Sequence, residues 1–341
     1  MMQDLHLHDF GSYRVGGRLV HVQGQAVRRV AFTETMHHDV DPNGTYCVES
    51  AYVQYFVPAR RNTHPPMVLL HGGGLSGAMW ETTPDGRRGW LHRLLAQGYE
   101  VHVMDNVERG RAGWWPHAWP DTPMLRTLED AWSLFRFGAP QDFSARRPYP
   151  GQQFPVDHLD ALGFSFVPRW ISTTPYQCDA LCALLQTLGR VLLLCHSQGG
   201  EVGLQAAARL PGCVAHVLLV EPSGFTRQTA SLRDVPVTIA YGDFLTCTQT
   251  WRTLREQWEA FAHALRAHGG RAELLDLTKA APGASHMPMM DMASDAYLDL
   301  LLTRLGEPPR LPPGRSSAAT SARIGVRKIG NSPPGFRDER A

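Results

Sequence analysis

Leu193-Leu194-Cys195-His196-Ser197-Gln198-Gly199-Gly200 carries an apolar strand straight into a helix through a serine flanked, two residues away on each side, by small side chains. The spacing has a mechanical cause. Holding Ser197 Oγ above a sheet forces the serine into a strained backbone conformation, and bulky groups at positions 195 and 199 would collide as strand and helix close on each other. Glycine is usual at both positions; Cys195 departs from that pattern, with a thiol small enough to keep the turn. On these residues alone an ordinary strand–helix turn is an equal rival, because Gly and Ser are common in such loops. The flanking sequence separates the two readings.

Upstream, Met67-Val68-Leu69-Leu70 ends in His71-Gly72-Gly73-Gly74. Acyl transfer develops negative charge on the former carbonyl oxygen, and N–H groups in a glycine-rich turn approach that oxygen with no side chain in the way. The expected donors are the N–H groups of Gly73 and of Gln198, the residue after the candidate nucleophile. Phosphate binding is the other use of such a turn, but the Lys-Ser/Thr of a P-loop is missing. Downstream, a base is expected after the last strand. His216 falls inside a strand and His263 and His268 on a helix, whereas His286 sits in the loop Pro282-Gly283-Ala284-Ser285-His286-Met287-Pro288. His196 points the wrong way along the turn for catalysis and reads as structural.

The wider pattern fits this placement. Short alternating runs between Gly11 and about Arg60, among them Arg28–Phe32 and Ala51–Val57, read as antiparallel strands. Apolar strands then alternate with helices: Met67–Leu70, a helix near Trp90–Gln97, Tyr99–Met104, and later Val191–Leu194, Val214–Val220, Val235–Tyr241 and Ala272–Leu277, with the last helix ending near Leu305. This is the grammar of a mostly parallel central sheet with helices on both faces. From about 108 to 175 the alternation lapses into a stretch holding Trp114, Trp115, Trp119, Trp132, Phe135, Phe137, Phe154, Phe164 and Trp170, expected to be an inserted cap. Its aromatics suit either a substrate pocket or the cap's own core.

With 43% apolar residues, a chain of 341 residues has ample core for one catalytic domain, assigned to residues 1–307. Residues 308–341 are rich in Pro, Gly, Ser and Arg, and seven basic residues face two acidic ones there; this segment is expected to be a disordered basic tail. The net charge of +1 includes no long like-charge run in the first 300 residues, which argues against nucleic acid or an anionic membrane as partner. A small, mostly neutral molecule is the expected ligand, and a homodimer stays open. The six cysteines form no CxxC pair and no Cys/His zinc cluster, so buried free thiols are expected. No run of 18 apolar residues and no apolar leader segment is present, so a cytoplasmic location is expected.

On Leu70-His71-Gly72-Gly73-Gly74-Leu75, Trp80–Arg87, Arg109-Gly110-Arg111, Phe135-Arg136-Phe137-Gly138, Gln153-Phe154-Pro155-Val156, Cys195–Gly199, Val220-Glu221-Pro222 and Ser285-His286-Met287, the chain resembles the α/β-hydrolase superfamily. Within it, the likeness is to a group of bacterial esterases whose triad acid is a Glu after the sixth strand. The resemblance and the residues together imply a serine carboxylesterase with no metal or organic cofactor, and the Trp and Phe content of the cap favours a small ester with an apolar or aromatic group. Two carboxylates compete as the acid. Asp243, in Ala240-Tyr241-Gly242-Asp243-Phe244, stands near the position usual in this fold. Glu221 ends an apolar strand, where an ionised group needs a strong partner such as imidazolium, and it is one methylene longer. Glu221 is preferred, as the resemblance also implies. The same three residues would serve an amidase, lactonase, C–C hydrolase or lyase, and a non-catalytic binding protein on this scaffold is the remaining alternative.

Overall fold

The computed structural model describes residues 4–115 and 119–306. The tail expected at 308–341 lies outside the described residues.

An eight-stranded sheet organises the chain. Its first two members, β1 (Leu7–Val22) and β4 (Gly44–Pro58), form a long antiparallel pair, and between them β2 (Arg28–Ala31) and β3 (His37–Val40) make a separate exposed hairpin. Five strands of continuous apolar character follow: β5 (Met67–Leu70), β6 (Val101–Asp105), β7 (Val191–His196), β8 (Val214–Val220) and β9 (Val237–Tyr241). With β10 (Ala272–Asp276) they complete the order β1-β4-β6-β5-β7-β8-β9-β10, parallel from β6 to β10. Every residue of β5, β6 and β7 is buried, as strands covered on both faces require.

Alternate residues of each strand feed two cores. Met67 and Leu69 face one side, packing with α1 (Trp90–Ala96) and α7 (Ser294–Leu302). Val68 and Leu70 face the other, with α4 (Thr174–Leu188), α5 (Gln198–Arg209) and α6 (Gln249–Ala267). The segment between β6 and α4 contains short helices α2 (Leu128–Leu134) and α3 (Leu159–Gly163) and an isolated bridge pairing Met124 with Arg169. Most of its aromatics are core. Trp132, Phe135, Phe137 and Phe154 pack into the first core, Trp119 and Trp170 into the second, while Phe164 and Trp114 are exposed. A large ring gains most where it is enclosed on all sides, and the inner face of this segment provides that.

The cysteines only partly follow the expected burial. Cys178 and Cys195 are buried, Cys182 and Cys213 half-buried, and Cys47 and Cys247 exposed. Cys47 points outward from β4, and Cys247 lies in the loop after β9.

Chain order fixes where chemistry can occur. From central β5 the chain moves one way to β6 and then returns to lay β7, β8, β9 and β10 on the other side. Such a switch in winding opens a crevice at the carboxyl ends of the adjacent strands. The His71-Gly72-Gly73-Gly74 turn leaves β5 there, and Ser197 leaves β7 beside it, with Leu70 paired to Cys195. Glu221 leaves β8, the sixth strand of the large sheet in chain order, and Asp243 follows β9, the seventh.

Candidate active site

Ser197 sits at φ 51° and ψ −118°, a conformation few non-glycine residues adopt, between β7 and the first turn of α5. Its N–H donates to the Val220 carbonyl, and its own carbonyl accepts from the N–H groups of Gly200 and Ser223. These bonds over-determine the turn. A Cβ at Gly199 would lie 2.6 Å from the His71 carbonyl oxygen, so the glycine lets α5 pack on the end of β5. At Gly203 a Cβ would lie 2.6 Å from Cys195 Sγ. The thiol that replaces the usual glycine at 195 thus occupies space left by a glycine one turn into the helix.

His286 Nε2 lies 3.2 Å from Ser197 Oγ, and its Nδ1 lies 3.3 Å from Glu221 Oε2. The loop after β10 reaches the serine because several partners hold it. The Phe135 carbonyl accepts the His286 N–H, the Ala284 carbonyl accepts the Asp243 N–H, and the Gly283 carbonyl accepts the Gln153 N–H. Within the loop, buried Asp291 accepts from both the N–H and the hydroxyl of Ser285. Burial pushes the Asp291 carboxyl up to about 7 against those bonds.

Glu221 is wholly buried at φ 53°. Burial opposes its ionisation, but the charge of Arg136 and hydrogen bonds from His286 and Arg136 outweigh it and hold the carboxyl at about 2. Arg136 donates from both terminal nitrogens, 2.8 Å to each carboxylate oxygen, and the Gly242 N–H also donates to Oε1. Burial draws the His286 pKa below its ordinary value, opposed by its bond to Glu221 and by that residue's charge, so the ring rests neutral near pH 7. With Nδ1–H directed at a carboxylate, Nε2 is the free base facing the hydroxyl.

Asp243 is not in this line. Its carboxylate accepts from the N–H groups of Phe244 and Gly283, which makes it a brace of the loop that carries His286. His196 is buried beside His286, ring centroids 4.7 Å apart, and its Nε2–H donates to the His286 carbonyl. Burial, then the neighbouring His286, pushes its pKa down to about 3, so it is a neutral prop. His216 lies in β8 and bonds Thr238; His263 lies on α6 and His268 caps its end.

Above the serine opens a cavity of about 530 Å³ whose walls include Gly73, Leu134, Phe135, Trp251, Leu254 and His286. The N–H groups of Gly73 and Gln198 have no protein acceptor among the described residues. Of the aromatics singled out between 108 and 175, Phe135 alone is among the lining residues. Sequence reasoning gave no role to Arg136, Asp291, Trp251, Arg126 or Arg169. Arg136 had one local sign, a guanidinium between two aromatics in Phe135-Arg136-Phe137. Trp251, on α6, had none; its ring lies 4.0 Å from the Arg136 guanidinium and 4.7 Å from the His286 ring. Among the described residues no group of His, Cys, Asp and Glu is arranged to hold a metal ion, and no helix is long and apolar enough to cross a membrane.

Residues 67–270 match the alpha/beta hydrolase family. A solved structure of a bacterial esterase is 32% identical, with a TM-score of 0.77, and the match covers 90% of this chain and 98% of that one. A probable secreted lipase of a fungal species is 29% identical over 189 residues, 53% of this chain and 51% of the lipase. The chain thus spans about half the length of that curated relative.

Proposed function

Because this chain belongs to the alpha/beta hydrolase family, we propose that it is a serine carboxylic ester hydrolase acting through an acyl-enzyme on Ser197. The observation that carries the reading is the unbroken line from the strained Ser197 hydroxyl through His286 to Glu221, at 3.2 and 3.3 Å. The likeness to a bacterial esterase over nearly the full length of both chains supports the choice of an ester bond.

In this reading His286 Nε2 takes the Ser197 proton as Oγ attacks the ester carbonyl. The N–H groups of Gly73 and Gln198 receive the oxyanion, and Glu221 stabilises the imidazolium that forms. His286 then protonates the departing alcohol. A water deprotonated by the same nitrogen releases the acid and restores the hydroxyl. Every step uses groups of this chain. The apolar wall of Leu134, Phe135, Trp251 and Leu254 fits a small ester with an apolar or aromatic portion.

Labelling with a fluorophosphonate probe tests the nucleophile. A single adduct at Ser197, absent in Ser197→Ala, is expected; an intact, folded protein that takes no label refutes the enzyme reading. A panel of p-nitrophenyl esters and the matching anilides then tests the bond, with esters expected to turn over faster by several orders of magnitude.

A further inference from the structure

The charged side chains that line the cavity, apart from the histidines, are Arg126 and Arg169; no carboxylate is among the lining residues. Arg126 lies just before α2 and Arg169 near the end of the inserted segment, and the Met124–Arg169 bridge, bonded N–H to carbonyl in both directions, holds them side by side. Arg126 pairs with Asp130 on the outer side, leans over the Phe135 ring at 5.2 Å and keeps its Nε buried without a partner. Arg169 is the less satisfied of the two. Its Nε is also buried without a partner, and its side chain makes no hydrogen bond or ion pair among the described residues.

Neither nearby carboxylate bonds to Arg169, although Glu201 and Glu108 act on its charge and Glu108 Oε2 is itself buried without a partner. Glu201 accepts from Gln205, and Glu108 accepts from Thr173 and Gln177 and pairs with Arg109. Burial pushes the pKa of both cavity arginines down, and for Arg169 the nearby Arg126 adds to the fall while Glu201 and Glu108 oppose it. Both remain cations near neutrality, because a guanidinium does not lose its proton there. Two half-buried like charges with unmet donors, facing one cavity, cost free energy until an anion joins them.

The position of Arg169 says where that anion lies. A Cβ on Gly73 would stand 2.8 Å from Arg169 Nη1 and 3.1 Å from Gln198 Oε1, so the guanidinium rests against the turn that carries the proposed oxyanion donor. An anion held there is only a few bonds from the scissile carbonyl.

Building on the esterase reading, we infer that the preferred substrate is an ester carrying a carboxylate close to the scissile bond, received by Arg169 with Arg126 beside it. This amends the expectation of a mostly neutral ligand. Net charge and the absence of charge runs say nothing about two arginines that tertiary pairing brings to one cavity. The apolar wall and the arginine pair then take different parts of one molecule.

The test compares monomethyl succinate, glutarate and adipate with the methyl esters of the monocarboxylic acids of equal chain length, following hydrolysis by titration of released acid. Wild-type protein is expected to favour the anionic member at one length at least by roughly 10- to 100-fold in kcat/KM, as charged hydrogen bonds allow. The preference should shrink as salt rises. Arg169→Gln should cut the ratio of anionic to neutral rates by at least about tenfold, and Arg126→Gln by less. Equal or better use of the neutral ester at every length overturns the proposal, as does a ratio unmoved by Arg169→Gln. Calorimetry on Ser197→Ala protein makes the same comparison without turnover. Monomethyl glutarate binding no tighter than methyl pentanoate overturns the anion site even if esters are hydrolysed. Tighter binding of the anion with no hydrolysis of either ester supports the site and removes the esterase reading instead.

Discussion

Arg136 and Glu221 meet end to end in the interior, two parallel N–H···O bonds of 2.8 Å each joining side chains with no exposed surface. Both residues sit at positive φ, 62° and 53°, so the backbone is strained on each side of the pair. The guanidinium also lies 4.0 Å from the Trp251 ring and donates from Nε to the Asp243 carbonyl. One buried cation therefore ties together the segment after α2, the ends of β8 and β9, and α6.

Removing that cation strands a buried carboxylate. Arg136→Met should destabilise the protein by about 3–5 kcal/mol, the usual cost of breaking a buried pair from one side. The Glu221 carboxyl would rise, since Arg136 is the largest influence holding it low. Chemical denaturation near pH 8 measures the loss; a change below about 1 kcal/mol would show that water or a rearranged neighbour replaces the guanidinium.

Two carboxylates follow neighbouring strands, and their partners separate their roles. Glu221 faces His286 at 3.3 Å, whereas both oxygens of Asp243 are occupied by backbone N–H groups of its own and the His286 loop. Glu221→Gln is expected to lower kcat by about 10³- to 10⁴-fold with little change in KM. Asp243→Asn should cost far less and show mainly as lower thermal stability. Kinetics of both variants on one activated ester decide the matter, and a crippled Asp243→Asn beside a nearly normal Glu221→Gln reverses the assignment.

The elements of this line were legible for reasons that differ by residue. Ser197 is marked by a local steric pattern, since a strand, a strained turn and a helix must share a few residues. His286 is marked by chain order, and Glu221 by an apolar strand that ends on a charge. Arg136 escapes because it lies in a stretch without helical or strand period, at a positive φ that sequence does not reveal for an arginine. The cap aromatics left two readings open. Trp132 and Phe137 suit a pocket as well as a core, and the direction each ring takes depends on how the segment folds back on the sheet. Arg126 and Arg169 are 43 positions apart in sequence and share a cavity through a single bridge, which no local pattern announces.

A neutral His286 is required for proton abstraction, and burial draws its pKa below the ordinary value of 6.5. Activity should therefore fall only as pH drops below that value, so the acid limb of kcat/KM should have an apparent pKa under 6.5. Glu221, at about 2, stays ionised throughout this range. Rates from pH 4 to 8 on a substrate without ionisable groups test the expectation. A limb near 7 would point instead to Asp291, whose carboxyl stands at about 7 behind the same loop.

Stability should also fall on acidification. Burial lowers His71 to about 4, His196 to about 3 and His216 to about 4, so below pH 6.5 the unfolded chain takes up protons that the fold refuses. Their contribution is intact above 6.5 and is lost as pH falls towards 4. Glu108 and Asp291, both raised to about 7, act with the opposite sign, since they hold protons in the fold between about 4 and 7 and favour it on the acid side. The three histidines, joined by His286, outweigh the two carboxyls. Melting temperatures should hold or rise slightly from pH 7.5 to about 6.5, where only the carboxyls take up protons, and decline from there to 4.5; a maximum near pH 5 would mean that the carboxyls dominate.

The contact between Cys195 and Gly203 offers a test of how the turn tolerates a thiol where glycine is usual. A Cβ at 203 would stand 2.6 Å from Sγ, so Gly203→Ala alone should overpack the strand–helix junction and cost about 1–3 kcal/mol, partly offset by the helix preference for alanine. Cys195→Gly alone should lose buried contact and leave a small void beside Leu70, which also lies near position 203. Combined, the methyl enters the space the sulfur vacates, and the double variant should be more stable than the sum of the two losses by about 1 kcal/mol or more. Denaturation of all four proteins closes the cycle. If the losses simply add, the thiol and the glycine are independent, and the small residue at 203 must be explained by something other than the departure at 195.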